Sequence, residues 1–152
     1  MDENGKAMDK AMRLLSSRAH SRRELGRKLY QRGFSSGTIS FVIAECERLG
    51  FLNDEDFASD YAEELRNKGY GAGKVRNSLA QKGIDRGIID EEIAGTEKDD
   101  EYSRAETALE KKLRTLKNEK DIRKRKEKAY RFLISRGFSG EIVSELLRKE
   151  TI

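Results

Sequence analysis

The 152-residue sequence predicts an all-α protein, an elongated array of three tandem three-helix repeats with helix-turn-helix-like units. Three observations lead there. Apolar residues recur at helical spacing although 39% of the chain is Asp, Glu, Lys or Arg, a balance suited to helices with much surface and a thin core. There is no proline, so nothing interrupts a long helix. Finally, three segments share one frame: ELGRKLYQRGFSSGTISFVI (24–43), KVRNSLAQKGIDRGIIDEEI (74–93) and KAYRFLISRGFSGEIVSELL (128–147). They align on Gly33, Gly83 and Gly137, which lie 50 and 54 residues apart.

The elements follow in order. A first helix over roughly 7–18 carries Met8, Met12 and Leu15 on one face, and Ser21 with Glu24 forms a capping box for the second. That helix ends at Gly33, placed at C′, where a left-handed residue is cheapest without a Cβ. Leu29, four residues earlier, and Phe34, one later, are then the apolar pair of a Schellman turn. Ser35 caps the third helix, and Phe34 staples onto Ile39. The second repeat starts with a helix over roughly 55–67, capped by Asn53 or Asp54 and bearing Phe57, Tyr61, Ala62 and Leu65. It repeats the turn with Leu79, Gly83, Ile84, Asp85 and Ile89, and the third does so with Leu133, Gly137, Phe138, Ser139 and Val143. The third repeat opens on a helix over roughly 101–116. The domains expected are 1–52, with residues 1–6 disordered, then 53–97 and 98–152. The acidic stretch EEIAGTEKDDE (91–101) is the best hinge candidate, near residues 95–100.

The glycine-rich stretch LRNKGYGAGKVRNSLAQKGI (65–84) invites a phosphate-loop reading, which its spacing excludes. Gly69 and Gly73 have three residues between them where a Walker A loop needs four, and Val75 stands where Ser or Thr should hold Mg2+. A dinucleotide fingerprint would need glycine at Lys74 and a strand leading in. Gly69 is instead read as the C′ residue of the helix containing Leu65, with Tyr70 packing back. Gly71 or Gly73 lets the turn start the next helix tightly.

Composition narrows the function classes. Cys46 stands alone, which excludes an intrachain disulfide and suits a reducing, cytoplasmic setting. His20, the single histidine, has no second histidine to share a metal and reads as a turn residue. No metal, cofactor or catalytic pair is indicated. The acidic clusters Asp54–Glu55–Asp56 and Asp90–Glu91–Glu92 read as caps and surface acids. The net charge of +4 is unevenly spread: residues 101–131 carry twelve Lys or Arg against six acids, and residues 90–101 seven acids against one lysine. That pattern points to a polyanion or a charged protein as partner.

FLNDEDFA (51–58) followed by KGYGAGKVRNSLAQKGI (68–84) resembles the central signature of the RecX family of bacterial recombination regulators. AMRLLSSRAHSRREL (11–25) and RFLISRGFSGEIVSELL (131–147) resemble its flanking parts, so the likeness spans nearly the whole chain. The family's Lys-Gly-Tyr-Gly falls on Lys68, Gly69, Tyr70 and Gly71, and its Leu-x-x-Lys-Gly-Ile on Leu79, Lys82, Gly83 and Ile84. Its acidic-acidic-x-Arg-Phe-Ala element is matched in part by Asp54, Glu55, Phe57 and Ala58, with Asp56 where the family has arginine. The resemblance implies tandem three-helix repeats and no enzymatic activity. It also implies a protein that lodges in the groove of the RecA recombinase filament on single-stranded DNA and lowers its ATP hydrolysis and strand exchange.

Such a partner suggests three groups of contacting residues. They are Arg22, Arg23, Arg27 and Lys28; Lys68, Lys74, Arg76 and Lys82; and Lys120, Arg123, Lys124, Arg125, Lys126 and Lys128. Arg23 and Arg27 are i,i+4 neighbours, and Lys74 lies in a helix's first turn, a hint of a nearby phosphate. Tyr61 and Tyr70 are expected to pack, with Tyr30 and Tyr130 freer. The expectation is a monomeric, cytoplasmic regulator that reaches DNA through the filament and engages no membrane. An autonomous basic DNA-binding module and a scaffold for another acidic protein are the alternatives.

Overall fold

The computed structural model describes residues 2–96 and 98–149, the side chains of residues 98 and 99 apart. All regular structure among them is helical: α1 (Glu3–Ser17), α2 (Arg22–Gln31), α3 (Ser36–Arg48), α4 (Asp54–Asn67), α5 (Ala72–Gln81), α6 (Arg86–Ala94), α7 (Lys98–Thr115), α8 (Ile122–Ser135) and α9 (Gly140–Lys149). None of them is long and apolar enough to cross a membrane.

Each expected turn closes as a Schellman motif. The Gly33 N–H donates to the Tyr30 carbonyl at 3.0 Å and the Phe34 N–H to the Leu29 carbonyl at 3.3 Å. The same pair of bonds runs from Gly83 and Ile84 to Ala80 and Leu79, and from Gly137 and Phe138 to Ile134 and Leu133. Gly69 and Tyr70 close α4 onto Arg66 and Leu65 in this way, as expected. A fifth turn went unread in the sequence: Gly50 (φ 81°) and Phe51 close α3 onto Glu47 and Cys46.

Past each glycine a short side chain caps the next helix. Ser35 Oγ accepts the Thr38 N–H at 3.3 Å, Asp85 Oδ2 the Gly87 N–H at 3.0 Å, and Ser139 Oγ the Ile142 N–H at 3.2 Å. Replacing Ser35 by alanine leaves that donor unpaired. A loss of about 1 kcal/mol is expected, read as a melting temperature roughly 3 °C lower.

Two boundaries differ from expectation. Residues 3–6 are helical, because three acceptors tie the N-terminus down: Asp2 takes the Gly5 N–H at 2.7 Å, Glu3 the Ser35 N–H at 2.7 Å, and Asn4 the Thr38 hydroxyl at 2.8 Å. The acidic stretch 91–101 is largely helical too, since α6 runs to Ala94 and α7 starts at Lys98. Residue 97, within the expected hinge, lies outside the described residues.

The chain forms two compact units, Met1–Asp60 with Leu79–Ile89, and Tyr61–Ser78 with Asp90–Ile152. In the first, α1 and α2 pack on α3 around Ala7, Ala11, Leu25, Leu29, Val42, Ile43, Cys46 and Leu52. In the second, α7, α8 and α9 enclose Ala105, Leu109, Ala129, Leu133, Phe138, Val143 and Leu146. Apolar residues at i, i+3 and i+4 thus supply each core, and each fully buried leucine contributes roughly 1.5–3 kcal/mol against exposure.

Each unit contains one copy of the same joint, where the start of one repeat's second helix meets the turn of the following repeat. In the first unit Ser21 Oγ donates to the Lys82 carbonyl at 2.6 Å. In the second, the Gly71 N–H donates to the Arg136 carbonyl at 2.7 Å and the Gly73 N–H to the Gly137 carbonyl at 2.9 Å. Residues 21 and 71 are equivalent in the fifty-residue frame, as Lys82 and Arg136 are in the alignment of the turn glycines. This corrects the reason for the glycine-rich stretch. A Cβ on Gly71 would lie 2.7 Å from the Gly137 carbonyl carbon and from Phe138 Cδ1, so close backbone approach, rather than a tight turn, requires glycine there.

Candidate polyanion-binding surfaces

The three basic groups fare differently in the structure. On α2, the Arg22 backbone N–H donates to Asp54 at 2.8 Å and its guanidinium lies 3.8 Å from Glu47. Asp54 therefore clamps α2, while Asn53 Oδ1 takes the capping role by accepting the Asp56 N–H at 3.0 Å. Lys28 is spent on His20, its Nζ 2.8 Å from Nε2. Arg23 lays its stem against Gly83, where a Cβ would come within 2.1 Å of its Cδ. Among the described residues Arg23 and Arg27 have no carboxylate within 4.0 Å, so this helix presents the expected i,i+4 pair of guanidinium heads, both exposed.

The second group is engaged internally. Lys68 pairs with Glu64 at 3.1 Å, Arg76 with Asp90 at 2.7 Å and Lys82 with Glu24 at 3.0 Å. Lys74 lies over the Tyr70 ring, 5.5 Å from its centroid, with its backbone against Gly137. The cation in the first turn of α5 thus has an aromatic face beside it. The acids Asp90 and Glu92 serve as partners as well, Glu92 holding Arg66 at 2.9 Å.

The third group lies at the start of α8. Asp121 caps the helix by accepting the Arg123 and Lys124 N–H groups. Glu119 gathers two of the cations: Lys128 Nζ at 2.9 Å, and Arg125, whose Nε donates to its carbonyl at 3.1 Å. The Lys128 hydrogen bond and the Asp121 N–H hold the Glu119 carboxyl below its usual range. Arg123 stays largely exposed beside Glu127 at 3.8 Å. Lys120, Lys124 and Lys126 have no carboxylate within 4.0 Å among the described residues. These three ammonium groups and the Arg23–Arg27 pair are the freest of the expected contacts.

Sequence reasoning missed two features. His20 is buried rather than a bare turn residue: its Nδ1 donates to the Arg18 carbonyl at 3.0 Å, which leaves Nε2 to accept from Lys28. Burial, helped by the charges of Arg18 and Lys28, lowers its pKa and keeps the ring neutral. Glu24, expected only in the capping box, also binds Arg18 at 2.9 Å and Lys82. Burial pushes its carboxyl up, but hydrogen bonds from Arg18, the Ser21 N–H and Lys82 outweigh that and bring it down to about 2. Cys46 is fully buried, and burial raises its thiol pKa, the opposite of an activated nucleophile. Tyr61 and Tyr70 are half-buried and Tyr30 and Tyr130 exposed, as expected. No group of three or more His, Cys, Asp or Glu is placed to hold a metal among the described residues.

Comparison with known proteins matches three consecutive family models to the chain. They are the first three-helix domain of RecX over residues 7–46, the second over 53–92 and the third over 99–147. A regulatory protein RecX from Chlorobaculum tepidum is 41% identical over 151 residues, covering 97% of this chain and 91% of its own. One from Legionella pneumophila is 37% identical over 145 residues, covering 95% and 94%. The fold superposes on the crystal structure of RecX from Lactobacillus salivarius with a TM-score of 0.87 at 23% identity, over 97% of this chain and 96% of that one.

Proposed function

This chain belongs to the RecX family of regulatory proteins, and from that premise we propose that it binds the RecA recombinase filament on single-stranded DNA and inhibits its ATPase and strand exchange. It acts as a cytoplasmic monomer without catalytic activity of its own, with repeats bounded near residues 52 and 97. The observation that supports the reading most is the unbroken run of three family domains along the chain. The helical surfaces add to it. Arg23 and Arg27 on α2, and Lys120, Lys124 and Lys126 around the start of α8, leave cationic heads for phosphates or acidic protein surface, a sequence-independent contact. Inhibition is then steric: a body seated in the groove keeps homologous duplex out and holds the recombinase in a less active form.

The test is the single-stranded-DNA-dependent ATPase of a RecA-type recombinase, titrated with this protein at near-physiological salt. Half-inhibition is expected well below one protein per recombinase. Replacing Lys120, Lys124 and Lys126 together by glutamine is expected to raise the concentration needed by roughly tenfold. An unchanged titration in that variant moves the interface to the first two repeats. An unaffected ATPase with bare-DNA binding intact refutes the reading in favour of an autonomous DNA-binding module.

A further inference from the structure

We propose that the second compact unit carries a binding site for a short, multiply charged phosphate chain, such as pyrophosphate, tripolyphosphate or the phosphates of a nucleotide. The site is separate from the surfaces invoked above and does not depend on the recombinase reading. It is a cavity of about 460 Å³ between the end of α4, the middle of α7 and the end of α8. Six cations line it, Arg66, Lys68, Arg104, Lys111, Lys112 and Arg136, and no carboxylate does. Three of them have acids behind the wall: Arg66 has Glu92, Lys68 has Glu64 and Arg104 has Glu101 at 2.8 Å. Lys111, Lys112 and Arg136 have none within 4.0 Å among the described residues, so the cavity holds a surplus of positive charge. Convergent like charges repel, and an anion of two to four charges offsets that cost.

Two details favour phosphate. The Arg104 Nε is buried without a hydrogen-bond partner, a donor in the wall of a site that already supplies cations. Arg136 is held in place between two rings, 4.6 Å from the Tyr70 centroid and 5.3 Å from that of Phe132, a pre-set fork of the kind that binds phosphate oxygens in pairs. The end of α4 would oppose an anion, but its Leu65 and Arg66 carbonyls are closed by the Tyr70 and Gly69 N–H groups. Lys112 lies over Phe132 at 5.0 Å, as Arg136 does, so that ring is occupied by cations rather than offered to a base. The site therefore reads phosphate charge and not base identity. A compact cluster also suits several charges on one short chain better than the spaced phosphates of a nucleic-acid strand.

Isothermal titration of the full chain with sodium tripolyphosphate at low salt tests this. Wild-type protein is expected to bind with a Kd below a millimolar. K111Q/K112Q should bind about tenfold more weakly, which is about 1.4 kcal/mol, while K6Q/R13Q, at two exposed cations of α1, stays within about twofold. Should K111Q/K112Q fold poorly, K111E alone, at an exposed position, must weaken binding by at least as much. Absence of binding by wild type, or equal loss in both double variants, overturns the proposal. So does a twelve-residue single-stranded oligonucleotide that binds in a Lys112-dependent manner while tripolyphosphate neither binds nor competes.

Discussion

Replacing Gly137 by alanine is expected to destabilise the protein by on the order of 3–5 kcal/mol. Two costs coincide at that position. Its φ of 94° is left-handed territory, which any L side chain enters with strain. Its Cβ would also fall 2.3 Å from the Lys74 backbone N and 3.0 Å from the Lys74 Cα, and a backbone cannot swing aside as the tip of a side chain can. Gly33 is the internal control, since its φ is 89° but nothing lies within 4 Å of the added atom. Gly33→Ala should cost about 1–2 kcal/mol, the conformational term alone. Urea denaturation midpoints of the two variants check this. Equal losses would mean that the joint between the second and third repeats relaxes and carries no steric demand.

Glu24→Gln is expected to cost roughly 2 kcal/mol at neutral pH, between the values for a buried and an exposed pair, because it leaves the half-exposed Arg18 and the partly buried Lys82 facing an uncharged group. The wild-type carboxyl titrates at about 2 when folded, against 4.5 ordinarily, so the unfolded chain takes up that proton first. Its contribution is fully present above pH 4.5 and is lost as pH falls toward 2. His20 adds a limb of the same sign at higher pH. Its pKa is also lowered, so stability already declines as pH drops below 6.5. Stability measured against pH should therefore fall in two stages in wild type, and Glu24→Gln should shrink the lower one, leaving the share of Glu3, Glu45 and Glu119, whose carboxyls are lowered as well. A variant that keeps the wild-type acid limb below pH 4.5 would show that other carboxylates govern it.

The recurrence of leucine, glycine, apolar residue and short cap is local chemistry, and that is why the three turns at Gly33, Gly83 and Gly137 were legible from spacing alone. Gly50 makes the same turn but has no leucine four residues before it, only Cys46, and the pattern passed unnoticed. The surfaces were harder, because a lysine's availability is decided by what folds next to it. Lys82 and Arg76 read as exposed cations until Glu24 and Asp90, 58 and 14 residues away in sequence, arrive beside them. Lys120, Lys124 and Lys126 have no carboxylate within 4.0 Å among the described residues, since the acids of that segment are taken up by their neighbours. Nothing local distinguishes Lys111 or Arg136 from other surface charges. Only the meeting of α4, α7 and α8 makes a basic cavity of them.

The two joints meet one geometric requirement with different materials, and this sets how freely each can drift over generations. The one at Ser21 rests on side chains, where a charge lost at Glu24 can be restored by compensating changes at Arg18 or Lys82. The one at Gly71 and Gly73 rests on backbone against backbone: a Cβ at Gly73 would press on the Gly137 carbonyl oxygen at 3.0 Å, and one at Gly71 would fall 2.7 Å from that peptide group, an obstacle no second-site change removes. A lineage can therefore retune the first joint in small steps, by charge. The second admits only sequences that leave it as it is.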